Sequence, residues 1–302
     1  MRRCGLDVLT KGPRSAGSRG SRAAPADPRL QRDNGPMSSK LRAIAEETVQ
    51  IIEFGRYQAP DGVAVVLADD IAAAVAGTRL YLPGDVVAAP IPASGKPALE
   101  VTGETTLAAA RRVGGDVVCL VFASARKPGG GFLNGAQAQE ESLARASALY
   151  ACLSAAPEFY AFHRQHADLC YSDRVIYSPA VPVFRDDDGL LLASPYRVSF
   201  LTAAAPNQAA ITASQPEACA NVPAALRTRT ARVLEIAAAN GHRRLVLGAW
   251  GCGVFGNDPA MVAESFALAL DRARWFEQIV FAVHDRQPGA PVYRAFATAF
   301  AQ

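Results

Sequence analysis

The sequence lacks any apolar run of the roughly 18 to 20 residues that a helix needs to cross a bilayer, so no membrane span is expected. Its six cysteines are scattered, with neither a C-x-x-C pair nor an apolar signal region ahead of them. Disulfide frameworks need patterned cysteines and an oxidising compartment, so this distribution indicates reduced thiols in a cytoplasmic protein. The sequence also has no G-x-S-x-G elbow and no Walker A lysine, which argues against elbow-type serine hydrolases and P-loop nucleotide hydrolases.

Residues typical of metal sites and activated thiols are sparse. His163, His166 and Cys170 have a superficially metal-like spacing, but no second group of ligands accompanies them, so a polar helix face is the preferred interpretation. Cys252 has no histidine nearby in sequence that could activate it as a nucleophile. The sequence therefore predicts a protein without a metal or any other cofactor.

Positive charge is scarce outside the first part of the chain. The whole chain has a net charge of +3, but residues 1–36 hold eight Lys and Arg against three Asp, a balance of +5. Residues 37–302 therefore carry a net charge of −2. A mildly acidic folded part has no overall basic character for binding nucleic acid by counterion release, so no direct DNA binding is expected. Recognition of a polyanion is expected to depend on local backbone amides and helix ends.

The composition changes at about residue 37. Residues 1–36 mix Gly, Ser, Arg and Pro with almost no apolar periodicity, which predicts a disordered basic tail; an over-long start before Met37 and a transit peptide are the alternatives. Residues 37–302 are predicted to form one domain, divided into an N-terminal extension (37–115), which opens with an amphipathic helix, and a core (116–302). In the core, strands are predicted at Asp116–Phe122, Arg174–Phe184, Ser199–Ala204, Arg243–Ala249 and Gln278–His284, and helices near 137–155, 222–240, 259–276 and 291–300. This alternation is typical of α/β layers around a parallel or mixed sheet.

The most informative segment joins a predicted strand to a predicted helix. Residues 127–132 read Lys-Pro-Gly-Gly-Gly-Phe, and residues 132–138 separate the third glycine from the Gln-Glu-Glu of residues 139–141. Consecutive glycines let the backbone adopt positive φ and approach a ligand closely, and a loop that leads into a helix often binds phosphate. Two glutamates at a helix start also complement its dipole, but that role does not explain Gln139 or the glycines. Adjacent helical residues point about 100° apart, so the two carboxylates cannot oppose each other as in an ordinary glycosidase.

Three glycines, a spacer of seven residues and Gln-Glu-Glu resemble the signature of the poly(ADP-ribose) glycohydrolases. Residues 122–128 and 142–145 are similar to the bacterial branch, and the likeness extends from about Ser38 to the C-terminus. The resemblance implies a macrodomain-like three-layer α/β/α sandwich with a mixed central sheet and an N-terminal helical extension. It also implies a glycosidase-type hydrolase that cleaves ribose–ribose O-glycosidic bonds in poly(ADP-ribose) from the chain end, releasing ADP-ribose. Its partners would be poly(ADP-ribose), ADP-ribose and poly-ADP-ribosylated proteins.

A second glycine-rich segment, residues 248–258, follows an apolar strand signal at 245–247. Four glycines within nine residues are entropically costly unless the backbone approaches something closely, although a tight connection between strand and helix is the alternative. In the family that the chain resembles, this segment is the diphosphate-binding loop and its aromatic residue packs on the terminal ribose. The substrate-binding residues that the resemblance implies here are Gly251, Cys252, Gly253, Val254, Phe255 and Asn257.

The resemblance assigns the chemistry to the two glutamates. Glu141, when protonated, would donate to the departing ribose oxygen, and its carboxylate would then take a proton from the attacking water. This role requires a pKa raised by burial or by the charge of Glu140. Glu140 would hydrogen-bond ribose hydroxyls. The remaining substrate-binding residues of the first loop would be Gln139, Gly129, Gly130, Gly131 and Phe132.

Two other functions of the same fold remain open at this point. One is the removal of single ADP-ribose units from proteins or from O-acetyl-ADP-ribose, and the other is non-catalytic reading of ADP-ribose. The paired glutamates favour the polymer-cleaving enzyme over the reader. In bacterial members of the resembled family the extension closes over the ribose at the adenosine end, and residues 81–84 (Tyr-Leu-Pro-Gly) are a candidate turn within it.

Overall fold

The protein, seen in a computed structural model, is described at residues 36–88, 90, 95–272 and 274–301. The predicted tail, residues 1–36, lies outside the described residues apart from Pro36, at which the first helix begins. The helices are α1 (Pro36–Phe54), α2 (Ala68–Gly77), α3 (Thr106–Val113), α4 (Gln139–Ala146), α5 (Leu149–Ser154), α6 (Pro157–Gln165), α7 (Gln208–Ser214), α8 (Val222–Ala239), α9 (Pro259–Arg272) and α10 (Pro291–Ala299). The strands are β1 (Arg56–Gln58), β2 (Ala64–Val66), β3 (Arg79–Tyr81), β4 (Ala98–Thr102), β5 (Val117–Phe122), β6 (Val175–Arg185), β7 (Leu191–Ala203), β8 (Arg244–Leu247) and β9 (Gln278–Ala282). No helix in these ranges is long and apolar enough to cross a membrane.

Seven of these strands form one mixed sheet in the order β3-β6-β7-β5-β8-β9-β4. The five strands from β7 to β4 are parallel to one another, whereas β6 is antiparallel to both β3 and β7. β1 and β2 form a separate antiparallel ribbon. Because parallel strands end at the same edge of a sheet, the segments that follow β5, β7 and β8 emerge side by side.

The central strand β5 shows how the sheet is enclosed. Residues 117–121 are all buried, as expected for a parallel strand that is covered on both faces. Cys119 and Val121 pack in a core with residues of α2, α3 and α5, whereas Val118 and Leu120 point to the opposite face and pack with α8, α9 and α10. The predicted α/β/α layering around a mixed sheet is confirmed.

The helix predicted at 137–155 is interrupted in the structure. α4 ends at Ala146, and Ser147 is extended, with φ −146° and ψ 175°. In this conformation Ser147 forms an isolated β-bridge with Val183, and the N–H of Ala148 donates to the carbonyl of Pro182 at 3.0 Å. Pairing with β6, which is distant in sequence, therefore replaces helical hydrogen bonds that the local pattern favours.

The stretch from 37 to 115 contributes more than a helical extension. It supplies β3 and β4, the two edge strands of the sheet, which pair with β6 and β9. These strands have only three and five residues, too few to show a clear alternation, so the sequence pattern does not locate them. The predicted division at residue 115 is therefore not a boundary within the sheet.

The turn predicted at residues 81–84 forms, and the N–H of Asp85 donates to the carbonyl of Leu82 at 3.2 Å. Arg232 of α8 donates to the carbonyls of Leu82 and Asp85 at 2.9 and 2.8 Å. The hydroxyl of Tyr81 lies 3.3 Å from Oδ1 of Asn240, just beyond the end of α8. These contacts fasten the turn to α8, and the closure of the extension over the ribose stays a prediction.

Candidate active site

The first glycine-rich loop connects β5 to α4 through backbone conformations that residues other than glycine rarely adopt. Gly129 and Gly130 have φ values of +67° and +61°. A Cβ at Gly129 would lie 2.9 Å from the ring of Phe132, and a Cβ at Gly130 would collide with the carboxylate of Glu141. The glycines therefore allow this loop to lie directly against the start of α4.

Phe132 anchors the loop to the protein interior. Its side chain is 0 % exposed, packs on Tyr150 with ring centroids 4.9 Å apart, and shares a small core with Ala45 and Ala144. The ring therefore holds the loop against α1 and α4, and the substrate-binding role of Phe132 stays a prediction.

α1 supports the same loop from outside the core. The hydroxyl of Ser38 donates to the carbonyl of Asn134 at 3.4 Å. Gly135, with φ +79°, lies so close to the carbonyl of Ser38 that a Cβ there would collide with it. Further along α1, Thr48 Oγ1 donates to the carbonyl of Arg145 at 2.7 Å. The first helix is thus part of the architecture of the loop.

Gln139, the first residue of α4, ties that helix to the end of β5. Its Oε1 accepts from the N–H of Phe122 at 2.9 Å, and its Nε2 donates to the carbonyl of Leu120 at 2.8 Å. The same Nε2 also donates to Thr106 Oγ1 at 3.1 Å. Both ends of the amide are thus engaged by the protein, which fixes the start of α4 and the two glutamates after it; the substrate-binding role of Gln139 stays a prediction.

The two glutamates lie in different environments although they are adjacent. Glu140 is 2 % exposed, and its Oε2 accepts from the N–H of Ser124 at 2.6 Å, whereas its Oε1 has no hydrogen-bond partner among the described residues. Burial raises the pKa of Glu140 well above its usual range, and the charge of Glu141 adds to the increase. Glu141 is half-buried, and its Oε1 accepts from the N–H of Gly131 at 3.0 Å. Oxygens of both carboxylates surround the position that a Cβ of Gly130 would take, so the two groups converge on one point.

The burial of Glu140 predicts that stability depends on pH. The pKa of an unfolded glutamate is about 4.3, and that of Glu140 in the folded protein is higher. The contribution of this group to stability is therefore fully present below the unfolded pKa and is lost as pH rises through the folded pKa. We expect Glu140→Gln to unfold at a higher urea concentration than the native protein at neutral pH, and the difference to vanish near about pH 4. A difference that is constant across pH would contradict this explanation.

The second glycine-rich loop follows β8, the neighbour of β5, so both loops leave the same edge of the sheet. Residues 251–256 read G-x-G-x-x-G, the spacing with which dinucleotide-binding folds bring backbone close to a pyrophosphate. Gly251 and Gly256 have φ values of +75° and +66°. Val254 is 85 % exposed, and nothing lies within 4 Å of a Cβ built on Gly253. The tip of this loop therefore offers accessible backbone.

Two predicted ligand contacts of this loop serve its own folding. Asn257 is 2 % exposed; its Nδ2 donates to the carbonyl of Pro206 at 2.9 Å and its N–H to the carbonyl of Gly251 at 3.1 Å. The N–H of Cys252 donates to the carbonyl of Ala249 at 3.1 Å. Burial raises the pKa of the Cys252 thiol to about 12, so it is not a thiolate at neutral pH. Asn257 and Cys252 close the loop through these contacts, whereas Oδ1 of Asn257 is buried without a partner among the described residues; the substrate-binding roles of both residues stay predictions.

The residues between them remain available to a ligand. In the part of the chain that the structure describes, the backbone N–H groups of Gly253, Val254 and Phe255 have no hydrogen-bond acceptor. The ring of Phe255 is half-buried and lies 6.1 Å, between centroids, from the ring of Tyr171. Three free N–H groups beside a partly exposed aromatic ring are suited to a phosphorylated sugar.

Two buried arginines near the site were missed by the sequence analysis. Arg145 in α4 is 7 % exposed, and its Nη1 donates to the carbonyl of Ala136 in the first loop at 2.6 Å. Arg229 in α8 is 1 % exposed, pairs with Asp173 at 3.0 Å and donates to the carbonyl of Ala204, next to the end of β7, at 2.6 Å. Each arginine interrupts the apolar face of its helix, which is the signal that could have identified it.

The histidine considered as a metal ligand has its ring nitrogens engaged. Nδ1 of His163 lies 2.8 Å from the carbonyl of Phe159, and Nε2 lies 2.8 Å from Ser172 Oγ. Burial lowers the pKa of His163 to about 4, so the ring is neutral at physiological pH. Within the described ranges, no group of three or more His, Cys, Asp or Glu side chains could hold a metal ion.

Comparisons with known proteins point to one family. A family model for the catalytic domain of the microbial-type poly(ADP-ribose) glycohydrolase (PARG) matches residues 45–186. The solved PARG from Thermomonospora curvata is 55% identical, with a TM-score of 0.82 over 87% of this chain and 100% of that chain. The same enzyme bound to the inhibitor ADP-HPD has a TM-score of 0.79 at the same identity and coverage. PARG from Deinococcus radiodurans in complex with ADP-ribose is 47% identical, with a TM-score of 0.72 over 76% of this chain and 96% of that one. A comparison with curated proteins gives no match.

Proposed function

This chain belongs to the microbial-type poly(ADP-ribose) glycohydrolases, and we propose that it hydrolyses the ribose–ribose O-glycosidic bonds of poly(ADP-ribose) at the loops that follow β5 and β8. It is an enzyme of the glycosidase type. The observation that carries the proposal is the convergence of the Glu140 and Glu141 carboxylates on Gly130, at the edge of the sheet from which both glycine loops emerge. A module that only binds ADP-ribose does not need a second carboxylate at this point.

In the proposed mechanism Glu141 performs both proton transfers. Protonated Glu141 donates to the glycosidic oxygen as its bond to the anomeric carbon breaks, which leaves an oxocarbenium-like ribose and the shortened polymer as an alcohol. The Glu141 carboxylate then takes a proton from the water that attacks the anomeric carbon, and this restores the acid. Gly131 supports this role because the hydrogen bond from its N–H holds Oε1 of Glu141 in place and leaves Oε2 for proton transfer.

Glu140 is proposed to orient the ribose. Its Oε2 is held by the N–H of Ser124, whereas Oε1 has no partner within the described part of the chain. A buried acceptor without a partner is costly, so a ribose hydroxyl that donates to Oε1 would gain more from this contact than from a contact exposed to water. The buried hydroxyl of Tyr160 also has no hydrogen-bond partner among the described residues. Burial raises the pKa of this hydroxyl, and the charge of Glu140 raises it further.

The diphosphate is proposed to bind the free N–H groups of Gly253, Val254 and Phe255, with the Phe255 ring against the terminal ribose. Backbone amides suit a protein whose residues 37–302 carry a net charge of −2. ADP-ribose and poly-ADP-ribosylated proteins are the proposed partners and the cytoplasm the proposed location; neither DNA binding nor a cofactor is part of the proposal.

Product analysis tests this function. Purified protein should release ADP-ribose from poly-ADP-ribosylated protein and leave a mono-ADP-ribosylated protein behind. Release of the last, protein-linked unit would indicate a mono-ADP-ribosyl hydrolase, and tight ADP-ribose binding without turnover would indicate a reader. O-acetyl-ADP-ribose, offered separately, would identify an esterase of the same fold.

We also expect digestion to proceed from the chain end, as the resemblance to bacterial members implies. Long polymer sampled during the first few per cent of turnover should yield ADP-ribose, while the remaining chains shorten only slightly. Abundant fragments of intermediate length at that stage would show internal cleavage. Because the turn at residues 81–84 is fastened to α8, deletion of its contacts by Arg232→Ala should not change this product pattern.

Two phenylalanines should separate stability from ligand binding. Phe132→Ala removes a fully buried ring, and we expect the free energy of unfolding to fall by about 3–5 kcal/mol. Phe255→Ala truncates a half-buried ring, so we expect a smaller loss of stability and about a tenfold weaker affinity for ADP-ribose. Urea unfolding and calorimetric titration with ADP-ribose measure the two effects. Equal effects of the two variants on stability would contradict the roles assigned to these rings.

A further inference from the structure

Two cations open the first glycine loop and two more lie on or against α6, although residues 37–302 carry a net charge of −2. Arg126 and Lys127 are exposed residues at the start of the loop, Arg164 is exposed in the last turn of α6, and Arg174 immediately precedes β6. We propose that these four residues, named here the basic rim, bind the diphosphate groups of the polymer that follow the scissile bond. This inference rests on the proposed function and extends it to the part of the substrate that becomes the leaving group.

The rim is connected to the catalytic carboxylates through short contacts. Ser124, whose N–H donates to Glu140, also accepts at its hydroxyl from the N–H groups of Arg126 and Lys127, at 3.4 and 3.3 Å. The guanidinium of Arg164 donates to the carbonyl of Arg126 at 3.0 Å. One serine therefore lies between the buried carboxylate and two of the cations, and the third is bonded to the same segment.

Arg174 is held against α6 by an aromatic ring. Its Cζ lies 3.3 Å from the ring centroid of Phe162, and the ring of His166 stacks on Phe162 at 3.8 Å with an interplanar angle of 19°. Two groups this close to one centroid must occupy opposite faces of the ring. Stacking fixes the guanidinium plane and leaves its N–H groups for an anion.

The charges of the rim are not neutralised by nearby acids. Among the residues that the structure describes, none of the four cations forms an ion pair within 4.0 Å. Asp173, which is next to Arg174 in sequence, pairs with Arg229, and Asp168 accepts from the N–H of Cys170.

The order of strands in the sheet places the rim where the polymer must continue. The proposed diphosphate loop follows β8, the glutamates follow β5, and α6 and Arg174 precede β6, which lies beyond β7. A poly(ADP-ribose) strand that runs from the loop after β8 to Glu141 therefore approaches the basic rim once it has passed the glutamates. Poly(ADP-ribose) carries a diphosphate in every unit, so cations at this place match the charge of the leaving strand.

The test compares three probes on the full-length chain. The variant Arg126→Gln/Lys127→Gln removes two exposed charges but none of the backbone contacts of the loop. We expect kcat/KM for long poly(ADP-ribose) to fall on the order of tenfold at low salt, and its dependence on salt to become less steep. ADP-ribose affinity and turnover of a phenolic ADP-ribose glycoside, whose leaving group has no phosphate, should stay unchanged. The charge-retaining variant Arg126→Lys/Lys127→Arg should restore polymer turnover.

A matched variant, Arg56→Gln/Arg272→Gln, removes the same charge from two exposed positions in β1 and α9. An equal loss of kcat/KM for polymer in this matched variant would mean that net charge alone matters. An equal loss of glycoside turnover in the rim variant would mean that the active site itself was disturbed. Either result would overturn the inference that the basic rim binds the polymer. Competition by single-stranded RNA as strong as that by polymer would show a general polyanion site and would also overturn it. If the wild type cleaves neither polymer nor glycoside, the proposed function fails, whereas normal wild-type activity with an unaffected rim variant refutes only this inference.

Discussion

Replacing Glu141 by Gln should lower the rate of poly(ADP-ribose) hydrolysis by about 10²–10⁴-fold, the usual contribution of a positioned general acid or base. The amide has nearly the shape of the carboxylate, and its oxygen can still accept from the N–H of Gly131. It cannot donate a proton as an acid or take one from water. The loop geometry is therefore preserved while both proposed proton transfers are lost.

The substitution should leave the binding of ADP-ribose close to that of the wild type, because the free N–H groups of the second loop and the ring of Phe255 are untouched. Glu158→Gln is the matched control: Glu158 is also a first-turn glutamate, in α6, but it is exposed. Its substitution changes the charge at a helix start without changing the site. Wild-type turnover in Glu141→Gln would remove Glu141 from the mechanism, and comparable losses in both variants would attribute the effect to charge alone.

The parts of the site that could be predicted from sequence are those that depend on neighbouring residues. The glycines of 129–131 and the Gln-Glu-Glu that follows indicated a tight loop between β5 and α4, and such a loop is present. The burial of Phe132 was not predictable in the same way, because it depends on Ala45 of α1, far away in sequence. Gln139 is similar, since its amide contacts Thr106 and the backbone of β5.

The fold, like the site, was predictable where neighbouring residues determine the structure and not where residues distant in sequence do. The alternation of apolar strands and helices was sufficient to predict α/β layers around a parallel or mixed sheet, and the resemblance added the three-layer arrangement. The alternation did not identify β3 or β4, which are strands only because β6 and β9 supply partners for them. It also predicted a continuous helix through Ser147, where pairing with Val183 interrupts it. In each case the deciding hydrogen bond joins residues that are far apart in sequence.

Gly130→Ala should reduce polymer hydrolysis by about a hundredfold or more, the scale of a misplaced catalytic group. An added Cβ would collide with Oε1 of Glu141 and would lie 3.1 Å from Oε2 of Glu140. The two carboxylates, or the loop itself, would have to move to accommodate one methyl group. Backbone strain from a positive φ alone would not displace the carboxylates. The variant therefore tests whether the glycine is required for the position of the two glutamates.

The control for Gly130→Ala is Gly62→Ala. Gly62 also has positive φ, +81° against +61° for Gly130, but nothing lies within 4 Å of the Cβ that would be added there. Both variants should lose about 1–2 kcal/mol of stability from the left-handed backbone, as urea unfolding would show. Only Gly130→Ala should also lose turnover, because only its methyl group displaces the carboxylates. If both variants kept full activity, the convergence of the two glutamates on Gly130 would not be the arrangement that performs catalysis.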